Sequence, residues 1–180
     1  MKLISHIDFY SAARNPGRCI EPDAMSGKDS WDISGNWELM KAVLPEEYHE
    51  TYGARLDSGH KCVLCRSGGR VVHTAWLAVE HLVVDEIRFD WRLPQYSVCI
   101  YDVSTIPAAR GQGYYTKTLI WLRETERLSG ITALWIYADA GNVASSRGIL
   151  SAGFTRRSQV TAVSFGHRVL FSFGSKPGVK

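Results

Sequence analysis

At 180 residues, 45% of them hydrophobic and 22% charged, with a formal net charge of +3, the chain has the composition of an ordinary globular domain. No Lys/Arg block is long enough for a nucleic-acid-binding tail, Arg156-Arg157 being only a pair, and no apolar run reaches the ~18 residues of a membrane span. Met1 to His6 lacks the apolar centre of a secretory signal, so the expectation is a cytoplasmic protein with neither a nucleic-acid nor a membrane partner.

Residues 1–35 carry turn signals at Asn15-Pro16-Gly17, Glu21-Pro22-Asp23 and Ser26-Gly27-Lys28, too closely spaced for a long helix. Ser34-Gly35-Asn36 reads as a cap for a helix from Trp37 to about Val43. Pro45 opens a second short helix through Tyr52. Two strands then flank the Ser67-Gly68-Gly69 turn, one over 61–66 and its antiparallel partner over 70–78. Cys62 and Cys65 have the spacing of half a zinc site, but no second Cys pair or His pair follows. Residues three apart on a strand face opposite ways, so these are expected to be free core thiols, and no metal is expected. A further strand is expected from Leu82 to Phe89.

Val98 to Val103 is rich in β-branched and aromatic residues and reads as a strand. Pro107 ends its pairing, the loop Arg110-Gly111-Gln112-Gly113 follows, and Tyr115, Leu119 and Leu122 begin a helical spacing. The first turn of a helix holds unpaired N–H groups and partial positive charge. Glycines there admit a ligand to the backbone, which makes an anion site suited to phosphate. A P-loop is excluded because no Gly-Lys-Ser/Thr follows Gly113, and a dinucleotide fingerprint because position 116 is Thr. The helix is expected to end near Ser129-Gly130, its charges Arg123, Glu124, Glu126 and Arg127 forming a solvated face. Leu134 to Ala138 is apolar throughout, as in a strand covered on both faces. Asn142 caps a last helix that ends before Gly153. Two closing strands, about 155–165 and 167–173, meet at Gly166-His167.

Thr105 to Tyr115 resembles the acyl-CoA loop of the GCN5-related N-acetyltransferases, whose pattern is Val-x-Pro-x-x-Arg-Gly-x-Gly-x-Gly/Ala, with Tyr115 standing where Gly or Ala is usual. Asn142 to Gly153-Phe154 is similar to the last helix of that family, with the same Asn-to-Gly spacing. The likeness covers about residues 60–173. It implies an α/β (α+β) fold: a mixed, mostly antiparallel, bent sheet with helices on both faces. Length predicts a single domain over 1–180, with 1–55 a poorly assigned helical and loop part, 60–173 the core that holds the acyl-CoA site, and 174–180 a flexible tail. The strands at 98–105 and 133–138 would splay apart around the pantetheine arm of acetyl-CoA. The donor would lie along Val103 and Thr105, with its diphosphate on Arg110, Gly111, Gln112, Gly113, Tyr114 and Tyr115, and with Asn142 and Ser145 beside it. The implied reaction is acetyl transfer to the amine of a small molecule by direct attack, in a monomer or homodimer.

Two departures bear on the chemistry. The family's acid is a Tyr seven residues after the helix-opening Asn, and here that position is Ile149. The Glu some members place on the central strand is absent from 97–100. Tyr101, Tyr115 and Tyr137 remain as possible acids, and Asp102, Glu80 and His73 as possible bases. Tyr101, Asp102 and Glu80 are the catalytic candidates, Asp102 first, because a carboxylate within an apolar strand needs a reason. Trp31, Trp37, Trp76, Trp91 and Tyr96 could line an acceptor pocket or fill the core. A non-catalytic acyl-CoA-binding domain of the same fold, or an unrelated α/β binding module, are the alternatives.

Overall fold

A computed structural model describes residues 2–15, 28–42, 44–165, 168–175 and 177. Eight strands form one sheet in the order β10-β9-β1-β8-β7-β4-β3-β2. They are β1 Lys2–Ala13, β2 Asp29–Ser34, β3 Lys61–Ser67, β4 Arg70–Val79, β7 Ser97–Thr105, β8 Ala133–Asp139, β9 Thr155–Phe165 and β10 Arg168–Gly174. Among the described residues only β7 and β8 pair in parallel; every other neighbouring pair in the sheet is antiparallel. β5 His81–Val84 and β6 Phe89–Arg92 form a separate hairpin. The helices are α1 Trp37–Lys41, α2 His49–Asp57, α3 Tyr114–Glu124 and α4 Val143–Ser151.

The expected bent, mostly antiparallel sheet is present, with a core on each face. Under α3 and α4 lie Tyr10, Val63, Ile100, Leu119, Leu122, Ile136 and Ile149. On the opposite face Phe9, Met40, Leu64, Trp76, Cys99 and Trp135 pack beneath α1, α2 and the hairpin. Cys62 and Cys65 do face opposite cores, are free, and are pushed up to about 12 by burial. Among the described residues no group of His, Cys, Asp and Glu could hold a metal, and no helix is long and apolar enough to cross a membrane. Trp31, Trp76 and Trp91 are core, whereas Tyr96 is exposed.

The main correction is at the N-terminus. Residues 2–13 form a strand inserted between β8 and β9. Ile7 and Phe9 face one core and Tyr10 and Ala12 the other, while Asp8 is buried among them. A buried carboxylate obscures the strand pattern, and it is tolerated only because Gln159 (2.7 Å) and Arg156 (2.6 Å) reach it from β9. β2 was also unforeseen; Trp31 anchors it by donating from Nε1 to Thr118 Oγ1 at 2.8 Å.

Other boundaries moved for identifiable reasons. Asn36 caps α1 as expected, its Oδ1 accepting from the Leu39 amide; the expected end at Val43 lies outside the described residues. α2 runs past Tyr52 to Asp57, where Ser58 and Gly59 close its last turn on Ala54 and Leu56. The single strand expected over 82–89 is a hairpin, turned at Asp85–Ile87 with Arg88 left-handed. α3 stops at Glu124, five residues early, because Thr125 turns extended and caps a short turn over Glu126–Leu128. Arg14 binds the carbonyls released there, on Thr125, Leu128 and Ile131. Arg123 is not merely solvated: its Nη1 donates to Ala152 O at 2.7 Å, over the space a Cβ on Gly153 would need. Gly174, expected in the flexible tail, belongs to β10. The Gly166-His167 joint and the turns over 16–27 lie outside the described residues.

Candidate active site

β7 and β8 pair only from Ser97↔Ala133 to Ile100↔Ile136. Beyond that, β7 follows β4 and β8 follows β1. Along β4, Thr74 meets Ser104 and Trp76 meets Tyr101, so β7 carries one extra residue there. Asp102 sits in that bulge with φ +43°, a conformation uncommon for a non-glycine residue. A bulge bends its strand and re-aims its side chains, and here it turns β7 away from β8. A cleft of about 360 Å³ opens between them, lined by Tyr101, Asp102 and Val103 on one side and Ile136, Tyr137, Ala138 and Asp139 on the other. Ser5, Ile7, Glu86, Tyr115, Asn142 and Ser145 complete its wall. The cleft reaches both faces of the sheet, since Val103 and Ile136 pack with the α3–α4 core and Tyr101 and Tyr137 with the other.

On the α3–α4 face the cleft meets the glycine loop. The Arg110 amide is paired with Pro107 O at 3.3 Å, so the expected cradle begins one residue later. No hydrogen-bond partner among the described residues takes the amides of Gly111 to Thr116, and the next amide, Lys117, bonds Gly113 O. Gly111 and Gly113 both have φ +78°, which turns these amides without steric cost. A second cavity of about 290 Å³ lies over them, lined by Thr105, Arg110, Gly111, Gly113, Tyr115 and Gly148. Arg110 Nε donates to Thr105 O, and Gln112 Nε2 to Ala108 O, each at 3.3 Å, bracing the loop. The Tyr114 side chain turns into the core and donates to Asp29 at 3.2 Å, leaving only its amide for a ligand.

Tyr115 lines both cavities. Its ring fills the space where Gly148 would carry a side chain, so that a Cβ there would lie 2.6 Å away. The bulky residue in the loop is thus matched by the missing one on α4. Burial pushes the Tyr115 phenol up to about 12, a hydrogen bond with Ser145 acting the other way. Asn142 Oδ1 accepts the Ser145 amide at 3.0 Å, which orients its own amide at the rim. Ile149 is fully buried.

The opposite face carries a cluster that no sequence spacing suggested. Tyr101 Oη lies 2.6 Å from His60 Nδ1. Asp102 pairs with Arg55 at 2.5 Å, whose guanidinium lies 5.0 Å from the Trp76 ring, 5.1 Å from Tyr101 and 5.4 Å from Tyr52. This cation–π box holds the bulge. Burial lowers the His60 pKa and raises that of Tyr101, so imidazole and phenol are both neutral near pH 7. Tyr137 is raised by burial and then by Glu86. Glu80 is not brought here: it lies at the far end of β4, left-handed, over a separate cavity of about 580 Å³ shared with Arg92 and Tyr96.

No family model and no curated protein matches the sequence. Solved structures do. A GNAT-family acetyltransferase from Colwellia psychrerythraea matches with a TM-score of 0.54 and 18% identity over 91% of this chain. A GCN5-related N-acetyltransferase from Kribbella flavida matches with a TM-score of 0.54 and 17% identity over 99% of this chain. The chain has the GCN5-related N-acetyltransferase fold. It spans 55% and 61% of the length of those two proteins. Within this acetyltransferase fold, β7 and β8 are the splayed pair, and α3 and α4 flank the cleft.

His73, a possible base from its sequence position, is 1% exposed on β4, with Nδ1 2.7 Å from Thr105 Oγ1 and Nε2 without a hydrogen-bond partner among the described residues. Burial lowers its pKa from 6.5 to about 4. In the unfolded chain it takes a proton near pH 6.5, so the stability it allows is present above that pH and is lost as pH falls toward 4. The loss is about 3 kcal/mol. Urea midpoints measured from pH 7 to 4 should fall accordingly, and His73→Asn, which keeps a hydrogen bond to Thr105 without titrating, should flatten that limb.

Proposed function

We propose that the chain is an acyl-CoA-dependent N-acyltransferase that moves an acetyl group to the amine of a small molecule. The observation that carries this is the row of unpaired amides, Gly111 to Thr116, opening onto a cleft between two splayed parallel strands. Amides without partners at the start of an 11-residue helix suit a diphosphate, with Arg110 adding charge. The edge of β7 from Val103 to Thr105, which has no partner on the β8 side, suits the amides of pantetheine. Asn142 and Ser145 line the same path.

Acetyl-CoA supplies an activated thioester: an ammonium substrate first gives up one proton, the neutral amine then forms a C–N bond as the C–S bond breaks, and the second proton lost from nitrogen replaces the one the sulfur takes as it leaves as a thiol. The donor enters from the α3–α4 face and the acceptor from the Tyr101–His60 face. Tyr101 borders the cleft and passes the amine proton to His60, which burial keeps neutral and receptive. Asp102, tied to Arg55, positions Tyr101 through the bulge and is not itself the base. Tyr115, protonated at neutral pH and lining the cleft, is the proton source for sulfur in place of the Tyr that Ile149 replaces. Among the described residues, three buried free thiols suit a reducing compartment such as the cytoplasm.

Calorimetry with acetyl-CoA, followed by thiol release against a panel of amines and amino-sugars, tests this reading. No binding at millimolar donor removes it. Ile149 favours one alternative, a non-catalytic acyl-CoA-binding domain; binding without thiol release from any amine would select that instead.

A further inference from the structure

Among the described residues the cleft between β7 and β8 is lined by three carboxylates, Glu86, Asp102 and Asp139, and by no Lys, Arg or His. Two of the three are engaged. Asp102 is held by Arg55 at 2.5 Å, and Asp139 Oδ1 accepts the Gly141 amide at 2.7 Å. Glu86 has no ion pair or hydrogen bond among the described residues. It stands on the turn of the β5–β6 hairpin, next to Ile87, which packs into the same core as Tyr101 and Tyr137. Its neighbours on that turn, Asp85 and Arg88, do not line the cleft. Glu86 is therefore on the face of the sheet opposite the glycine loop, the side from which the acceptor enters. Tyr137 shows how near its charge lies: burial raises that phenol first, and Glu86 is the next largest cause.

An unpaired carboxylate beside a reacting amine has a specific consequence. The nitrogen that attacks must be neutral, so it keeps no charge for Glu86 to hold. A second ammonium on the same molecule does keep its charge, since an alkylamine of the lysine type has a pKa of about 10.4. We infer that Glu86 selects the acceptor of this cleft, and that the acceptor is a dication of the alkyl diamine or polyamine class, with one nitrogen at Tyr101 and a second ammonium on Glu86. The inference rests on the acetyltransferase reading above and names the substrate class of the same cleft. The rings of Tyr101 and Tyr137 line the wall between the two ends and suit an alkyl spacer. Amino acids and acidic amines are disfavoured, because their carboxylate would meet Glu86 and Asp139 with no cation in the lining to offset it.

Calorimetry in saturating coenzyme A, with alkyl diamines of graded length and monoamines of matching length, reads acceptor affinity without depending on turnover. One diamine should bind the parent chain about 5–20-fold more tightly than its monoamine, a margin between that of an exposed ion pair and that of a charge-assisted hydrogen bond. The margin should shrink as salt is raised. Glu86→Gln keeps the shape of an exposed, unpartnered side chain, so it should melt as the parent does and lose the margin. Diamines that bind no more tightly than their monoamines, or a margin that survives Glu86→Gln, overturn the inference and leave acetyl transfer standing. Absence of coenzyme A binding, read in a separate titration, overturns both.

Discussion

Gly113→Asp lowers affinity for acetyl-CoA by about 100-fold or more, while the fold bears only the modest strain of a non-glycine residue at φ +78°. The reason lies in the geometry of the α3 start. Gly113 has φ +78°, and a Cβ there would meet only Lys117 Cε at 3.9 Å. Asp and Asn tolerate that conformation better than other non-glycine residues. A carboxylate at a helix start is favoured by the same unpaired amides and partial charge that would hold a diphosphate. It therefore competes for the site without disturbing packing. Losing two charge-assisted hydrogen bonds, each ~1.5–3 kcal/mol, accounts for the fold-change, and repulsion adds to it. Gly113→Asn separates these contributions: it caps the same amides without a charge and should bind more tightly than Gly113→Asp, with a gap that shrinks as salt is raised. Calorimetry at two salt concentrations, with melting curves for each variant, reads both. An Asp variant within threefold of the parent would show that the loop does not hold the donor.

Tyr101→Phe lowers kcat by about 10²–10⁴, with the KM for acetyl-CoA unchanged. The phenol sits between the cleft and His60, with 2.6 Å separating Oη from Nδ1, and Phe keeps the ring on Arg55 while removing the proton path. His60→Ala should cost a similar factor, and the double variant little more, because the two act as a unit. The pH profile gives the sign. His60 works as the neutral imidazole, and burial lowers its pKa below the usual histidine value. The acid limb of the parent's rate should therefore lie below about pH 6.5. Losses that simply add in the double variant, or an acid limb that survives His60→Ala unchanged, would exclude this relay.

The local devices of the fold were legible in the chain. Gly68-Gly69 between two strands, Arg110 to Gly113 between strand and helix, and Asn142 with Gly153 at the ends of α4 each act within a few residues, through backbone freedom and capping. Their positions matched the structure; the amides of Gly111 to Tyr115 have no partner among the described residues, while that of Arg110 is taken by Pro107. The departure at Tyr115 was visible too, but its complement, Gly148, was not, because the two meet only when α3 packs on α4.

What the sequence determined by itself, then, was the strand–loop–helix order and the glycine loop beside the cleft, since turn, cap and glycine chemistry is encoded over short spans. Tertiary structure decided the rest. Asp8 is acceptable in a central strand only because β9 brings Gln159 and Arg156 to it. One extra residue in β7 turns Asp102 toward Arg55, 47 positions away, and the same strand sets Tyr101 against His60, 41 positions away. Pairing register and a bulge govern those meetings. Both follow from which strands become neighbours, a choice made by the free energy of the whole packed sheet and by no window of the chain.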